Sequence, residues 1–360
     1  MNKNRANEVS LPAAKLRGIR NPEIELWRFF FAVMVFLSHM SVLPNGALAV
    51  DCFFLLTGYL TMNSISRARM KGNTVPGTGA FILRKLSTFY PELLVATITT
   101  IAIFLLSRPL DFQLIATAAK TMINGILPLK MTGISISYVD FNGATWYISS
   151  MLIGLIIVYP LLVRFGTHPI LFIAGVIICG FLCQYHGKLN GVYAWYGFTF
   201  EGNLRAVGEL LIGATAYQAI QSFSQFNLSR LGLFFVTSIK YCCIGLVGII
   251  AALHQTWLHG FALIAGLLAI AISFSDQVSD RRIYANKICL FLGSLSLPLY
   301  LSHRAITVCA DQLIPDLVVD IEWAKVVICF IYSLVLALVV QGAGKIIRQH
   351  SSKLRKLFIA

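Results

Sequence analysis

Long apolar stretches recur along the whole chain, each about the length that spans a bilayer as a helix, roughly 17 to 25 residues. The intervening segments are short and polar. The stretches lie near 25–43, 46–64, 90–107, 144–164, 169–185, 203–220, 232–253, 256–274, 287–309 and 323–344. The pattern therefore predicts an all-α, polytopic integral membrane protein with about ten transmembrane helices.

Lys and Arg are unevenly distributed between alternate connecting segments. If the N-terminus is placed inside, most of the 29 basic residues fall on the inner side, where such residues accumulate in membrane proteins. Both termini are therefore predicted to be cytoplasmic. The predicted organisation is a basic cytoplasmic segment at 1–24, a single membrane domain at 25–344 and a basic cytoplasmic tail at 345–360.

The composition agrees with a membrane location, since 57% of the 360 residues are hydrophobic and 12% are charged. The net charge of +14 follows mostly from topology and favours anionic membrane lipid as a partner, not nucleic acid. All eight cysteines fall inside predicted helices, without the spacing of a disulfide frame or a metal site. No metal is expected, and the oligomeric state is left open.

Two connecting segments stand out, at 65–89 on the inner side and at 108–143 on the outer side. The outer segment contains the apolar but interrupted run LIATAAKTMINGILPL. Such a run lies in the interface or re-enters the protein. It is expected either to cap an outward-facing cavity or to form an ordinary surface helix.

The first predicted span contains ionisable residues, which are costly in a membrane and so mark candidate functional sites. Arg28 and His39 are eleven residues apart, which is three turns plus roughly 20°, so they share one helix face about 16 Å apart. Arg28 is placed toward the cytoplasm and His39 toward the outer leaflet. Glu25, three residues before Arg28, is positioned to pair with it.

Asp51 follows shortly after the turn at Asn45 and Gly46, so an antiparallel hairpin places it at a depth similar to that of His39. A carboxylate beside an imidazole fixes its tautomer and raises its basicity, as a general base for a hydroxyl requires. The alternative is a buried polar pair that only locks two helices together. Spacing alone gives the two interpretations equal weight.

Other polar residues favour structural roles. Glu201, Arg205 and Glu209 recur at four-residue spacing, which is consistent with an ion pair inside the sixth span. His303 lies near the outer end of the ninth span beside Tyr300, where a lone histidine is more often a satisfied hydrogen-bond donor than a catalyst.

Four motifs together resemble the acyltransferase-3 family of bacterial membrane acyltransferases, whose members O-acylate sugars and glycolipids. The first is the spacing of Glu25, Arg28 and His39. The others are VDCFFLLTGYL at 50–60, with Thr57 in a serine position, the tryptophan-led span TWYISSMLIGLIIVYPLL, which contains Trp146 and Tyr147, and the late segment GSLSLPLYLSH, which ends at His303. The resemblance covers most of the chain.

The resemblance implies that His39 is the catalytic base or the acyl-handling residue and that Arg28 is needed. It also implies an acyl-coenzyme A donor, commonly acetyl-CoA, and a place in the bacterial cytoplasmic (inner) membrane. The sequence departs from the family where many members have two arginines three apart, since Lys85 and Thr88 occupy those positions. The residues expected to substitute in binding coenzyme A are Arg84, Lys85, Arg67 and Arg69.

These observations lead to a hypothesis in which basic residues at the inner mouth bind the nucleotide of the donor, with Arg28 deeper in the membrane. His39, oriented by Asp51, then deprotonates a saccharide hydroxyl or first takes the acyl group itself. The acceptor is left open among lipopolysaccharide, capsule, exopolysaccharide and lipid-linked glycans. The competing interpretations are a transporter or flippase and a binding or sensory membrane protein.

Overall fold

A computed structural model describes residues 21–134, 141–189, 191–275, 278, 287–314 and 322–359. These residues form α-helices joined by short connections and two 3₁₀ turns, and within them the only β-type pairing is an isolated bridge between Trp195 and Phe200. The α-helices are α1 Pro22–His39, α2 Ala49–Met70, α3 Thr78–Leu106, α4 Phe112–Ile126, α5 Thr145–Phe165, α6 Pro169–His186, α7 Glu201–Phe223, α8 Arg230–Ala252, α9 His259–Ser273, α10 Lys287–Val308, α11 Ala310–Leu313 and α12 Glu322–Ile359. The predicted all-helical class is confirmed.

Among the described residues, seven helices are long and apolar enough to cross a membrane: α2, α3, α5, α6, α8, α9 and α12. The total of about ten transmembrane helices and the cytoplasmic location of both termini stay predictions. Three further predicted spans form α1, α7 and α10, which carry more polar residues. Among the buried polar groups described below, these three helices hold Glu25, Arg205, Glu209 and His303.

Helices α2 and α7 approach each other closely because glycine faces the partner helix on both sides. A Cβ atom added at Gly213 would lie 2.0 Å from the Leu55 carbonyl oxygen, and one added at Gly58 would lie 2.2 Å from the Leu210 carbonyl oxygen. Small residues allow helix backbones to pack at short range where the surrounding lipid supplies no hydrophobic driving force. This contact fixes which face of α2 meets α7.

Two helices extend well beyond the apolar stretches that predicted them. Helix α3 begins at Thr78, twelve residues before the predicted span at 90–107, and Phe81 in its first turns stacks on Tyr159 of α5. Helix α12 continues to Ile359 through the predicted cytoplasmic tail. The inner connection is therefore shorter than predicted, and the basic residues of α3 belong to a helix.

The connection predicted at 108–143 contains the amphipathic helix α4, which begins at Phe112. The side chain of the preceding residue, Asp111, accepts a hydrogen bond from the Leu114 amide at 2.6 Å. Its buried face recurs at Leu114, Ala118 and Thr121 and packs against α3. The turn that follows reaches α5 and α7, since the Met131 amide donates to Ser149 and its carbonyl accepts from Asn203. The segment is thus a surface helix followed by a turn that covers α5 and α7. Residues 135–140 lie outside the described residues.

We expect Gly213→Ala to destabilise the protein by about 1–3 kcal/mol, because the added methyl group meets the backbone of α2. Gly245→Ala is the matched control, since a Cβ atom there contacts nothing within 4 Å. The midpoint of thermal unfolding in detergent measures both variants. Equal midpoints for the two would contradict the close approach of α2 and α7.

Candidate active site

The most buried ionic group joins α2 to α7. The Arg205 Nε atom donates to Asp51 Oδ1 at 2.6 Å and to Glu209 Oε1 at 3.2 Å, and Nη2 donates to the Ala47 carbonyl at 3.3 Å. All three ionic side chains are at most 2% exposed, and the Trp146 ring lies 5.6 Å from the guanidinium. The predicted pairing of Arg205 with Glu209 is confirmed, and Asp51 joins it.

The predicted hydrogen bond between His39 and Asp51 is absent, and this part of the hairpin hypothesis is wrong. Asp51 lies one turn before Leu55 on the face of α2 that packs against α7, so its carboxylate meets Arg205. His39 is the last residue of α1, which packs against α10. Similar depth therefore did not bring the two side chains together, because they point toward different neighbouring helices.

At the end of the bundle where α1 ends, His39 contacts α10. The Arg304 Nη1 atom lies 3.2 Å from His39 Nδ1. The His39 and His303 rings stack with their centroids 5.1 Å apart and their planes 26° apart. His39 is exposed, whereas His303 is fully buried. The structure thus brings together two of the predicted site residues and adds Arg304.

A group of contacting aromatic side chains, called the aromatic wall below, lies between the histidine pair and the Arg205 cluster. Tyr147 contacts Phe53, Phe54 and Tyr300, with ring centroids 4.7 to 6.0 Å apart, and Tyr300 lies 6.0 Å from His303. The Tyr147 side chain also lies near Thr57, and the Tyr300 hydroxyl donates to the Ala144 carbonyl. Buried tyrosines with satisfied hydroxyls provide a rigid, mostly apolar lining.

Toward the opposite end of α1, Arg28 pairs with Glu25 at 3.0 Å, as predicted from their spacing. Arg28 is near enough to Tyr147 and to Lys85 of α3 for its charge to act on both side chains. Its side chain is 29% exposed, so a solvated group can reach it.

A polar cavity of about 190 Å³ opens between the C-terminal half of α2 and the N-terminal half of α3. It contains two of the basic residues predicted to bind the donor, and hydroxyl groups surround them. The lining residues are Leu60, Thr61, Ser64, Phe81, Arg84, Lys85 and Thr88. The cavity combines positive charge with hydrogen-bonding side chains, as a phosphate site requires.

Arg67 and Arg69, the other residues expected to substitute in donor binding, do not line this cavity. Arg69 instead donates to the Val163 carbonyl near the end of α5. Since Arg84, Lys85 and Thr88 do line the cavity, they are the candidates for binding an anion. Across the described residues, no group of three or more His, Cys, Asp or Glu side chains is arranged to hold a metal ion.

Arg304 was missed as a site residue because the distribution of basic residues assigned it to an outer connection. Its position directly after His303 in the LSHR segment was the available signal. The hydroxyls of Thr61 and Ser64 were also overlooked, although they lie four and seven residues after Thr57, on one face of α2.

The comparisons with known proteins assign the chain to a family. A family model described as an acyltransferase domain, Acyl_transf_3, matches residues 21–342. The chain belongs to the acyltransferase-3 family. No curated protein and no solved structure matches it significantly. The family match and the apolar helices support a multi-pass membrane acyltransferase, and the earlier resemblance is confirmed.

Arg205→Met should lower the free energy of unfolding of this acyltransferase by about 3–5 kcal/mol, because two buried carboxylates lose their counter-charge. Adding Asp51→Asn and Glu209→Gln should recover part of the loss, since neutral amides remove the uncompensated charge. Thermal unfolding of the single and triple variants measures both effects. If Arg205→Met alone were as stable as the unmodified protein, the ionic cluster would not have the stabilising role assigned to it.

Proposed function

We propose that the protein is an O-acyltransferase that moves an acetyl or other acyl group from cytoplasmic acyl-CoA to a hydroxyl of an extracytoplasmic or lipid-linked saccharide. The observation that carries the proposal is the order in which polar groups occur from one end of α1 to the other. The basic cavity lined by Arg84 comes first, Arg28 follows, and the pair of His39 and His303 lies at the opposite end. Two substrates entering from opposite ends would meet along this line.

The donor end is argued from the chemistry of coenzyme A, which carries phosphates at one end and a thioester at the other. Arg84 and Lys85 supply charge for the phosphates, and Thr88 supplies a hydroxyl. Arg28 and His39 are separated by about 16 Å along α1, a length comparable with an extended pantetheine arm. The arm would then run along the aromatic wall formed with Tyr147.

The acceptor end is argued from the exposure of His39, the member of the histidine pair that reaches the surface. The distribution of Lys and Arg predicts that this end faces away from the cytoplasm. A saccharide hydroxyl is a weak nucleophile and needs a neighbouring base in the transition state. The proposed location is the bacterial cytoplasmic membrane, with lipopolysaccharide, capsule and exopolysaccharide as acceptor classes.

A transporter or flippase is the second candidate, because buried charges also line permeation pathways. The family match favours acyl transfer instead. The cationic cavity at one end and the stacked histidines at the other also fit a reaction between two substrates better than the passage of one.

His39→Ala should lower acyl transfer at least about a hundredfold, since a group acting on protons at the reacting bond contributes 10²–10⁴. The measurements are release of free coenzyme A thiol by purified protein in lipid vesicles and mass spectrometry of surface glycans from cells that produce each variant. Protein amount in the membrane is the control. Normal glycan acylation by His39→Ala would exclude this residue from the reaction.

Arg84→Ala combined with Lys85→Ala should raise the KM for acyl-CoA about tenfold or more, because each charged hydrogen bond to a phosphate contributes about 1.5–3 kcal/mol. The kcat should change less, since these residues are remote from the thioester.

Arg67→Ala is the matched control for that experiment, because it removes a nearby positive charge that does not line the cavity. Its KM for acyl-CoA should stay close to that of the unmodified protein. Titration with acyl-CoA measures the KM of the unmodified protein, the double variant and the control. Equal effects of the control and the double variant would show that general positive charge, not the cavity, binds the donor.

A further inference from the structure

The hydrogen bonds of His303 define which of its ring nitrogens carries the proton. Its Nδ1 atom lies 2.8 Å from the Tyr300 carbonyl oxygen and 3.2 Å from the Leu299 carbonyl oxygen. A carbonyl oxygen only accepts hydrogen bonds, so Nδ1 is the donor. In the neutral ring the lone pair is then on Nε2.

This Nε2 atom is buried and has no hydrogen-bond partner on the protein. A buried polar atom without a partner costs about 1–3 kcal/mol, and such atoms need a specific explanation in a native structure. The ring is held in place from its other side by the α10 backbone and covered by His39. A fixed, unprotonated nitrogen in this position can accept a proton.

The same reasoning gives His39 the opposite proton arrangement. Arg304 lies 3.2 Å from His39 Nδ1, and a guanidinium group only donates. The Nδ1 lone pair therefore accepts from Arg304, and the proton of the neutral ring is on Nε2. In this arrangement the free nitrogen of His39 is a donor and not a base.

We propose that His303 is the general base of the acyl transfer and that His39 donates a hydrogen bond through Nε2 to the carbonyl oxygen of the acyl group. The proposal rests on the proposed function, moves to His303 the base role that the resemblance implied for His39, and gives His39 a role that the sequence did not assign. The two rings are adjacent, with their centroids 5.1 Å apart and their planes 26° apart.

The step conserves atoms and charge. The saccharide oxygen attacks the thioester carbon while its proton passes to His303 Nε2, and His39 Nε2–H stabilises the oxyanion. The carbon–sulfur bond then breaks, and the departing thiolate takes the proton from His303. The products are the ester and free coenzyme A thiol, and both histidines return to their starting state.

Two substitutions separate the two roles, because each replaces a histidine with an amide that can still donate a hydrogen bond but cannot act as a base. In His303→Asn the side-chain amide can still donate to the Tyr300 carbonyl, but there is no base. In His39→Gln the amide replaces the Nε2–H donor, but it cannot accept a proton. His254→Asn, at an exposed histidine that is not part of the pair, is the matched control.

The expected result is that His303→Asn loses at least about a hundredfold in thiol release and glycan acylation. His39→Gln should stay within about tenfold of the unmodified protein, because it keeps the oxyanion donor. The His254 control should be unchanged. Binding of acyl-CoA and the thermal midpoint should be similar in all variants.

Retained activity in His303→Asn would overturn the proposal, and so would a loss in His39→Gln as large as in His39→Ala. If His303→Asn does not fold, His303→Ala assayed with added imidazole replaces it. Restored turnover then supports the base role, and no restoration despite intact donor binding overturns it. An unmodified protein that turns over no acyl-CoA would instead overturn the proposed function itself.

Discussion

The arrangement of the bundle depends on Arg205, a fully buried guanidinium held between the carboxylates of Asp51 and Glu209. Removing three ionic groups from water is costly, and only close mutual hydrogen bonding compensates for it. That requirement fixes the rotation of α2 and α7 about their own axes. The glycines between these helices allow the short separation at which the cluster forms.

Once the rotation of α2 is fixed, the remaining site geometry follows from it. Asp51 turns toward α7, so the face carrying Phe53 and Thr57 is left for Tyr147 of α5. The aromatic wall then separates the Arg205 cluster from the histidine pair. Since Asp51 is committed to Arg205, His39 takes its partner from α10 instead.

The sequence predicted features that lie within one helix. The Glu25–Arg28 and Arg205–Glu209 pairs follow from spacings of three and four residues, and the apolar stretches located nearly every helix. Helix ends were less accurate where charged residues continue a helix beyond its apolar part, as at Thr78 and after residue 344. A hydropathy pattern records lipid contact and not the full length of a helix.

Contacts between helices were mostly not predictable, because they depend on how each helix is rotated relative to its neighbours. The His39–Arg304 contact and the buried Lys240–Glu23 pair at 2.6 Å join residues more than 200 positions apart. The family resemblance identified the motifs that meet at the site, Glu25 to His39 and the segment ending at His303. It did not define the hydrogen bonds between them.

The partner of a histidine decides what its free nitrogen can do. A carboxylate at His39 Nδ1 would have left a lone pair on Nε2 and made His39 a base. A guanidinium at the same atom leaves a proton on Nε2. For His303, backbone carbonyls take the place of the carboxylate and leave the lone pair free. The orientation of Asp51 toward Arg205 therefore changes which ring is suited to accept a proton, although Asp51 contacts neither histidine.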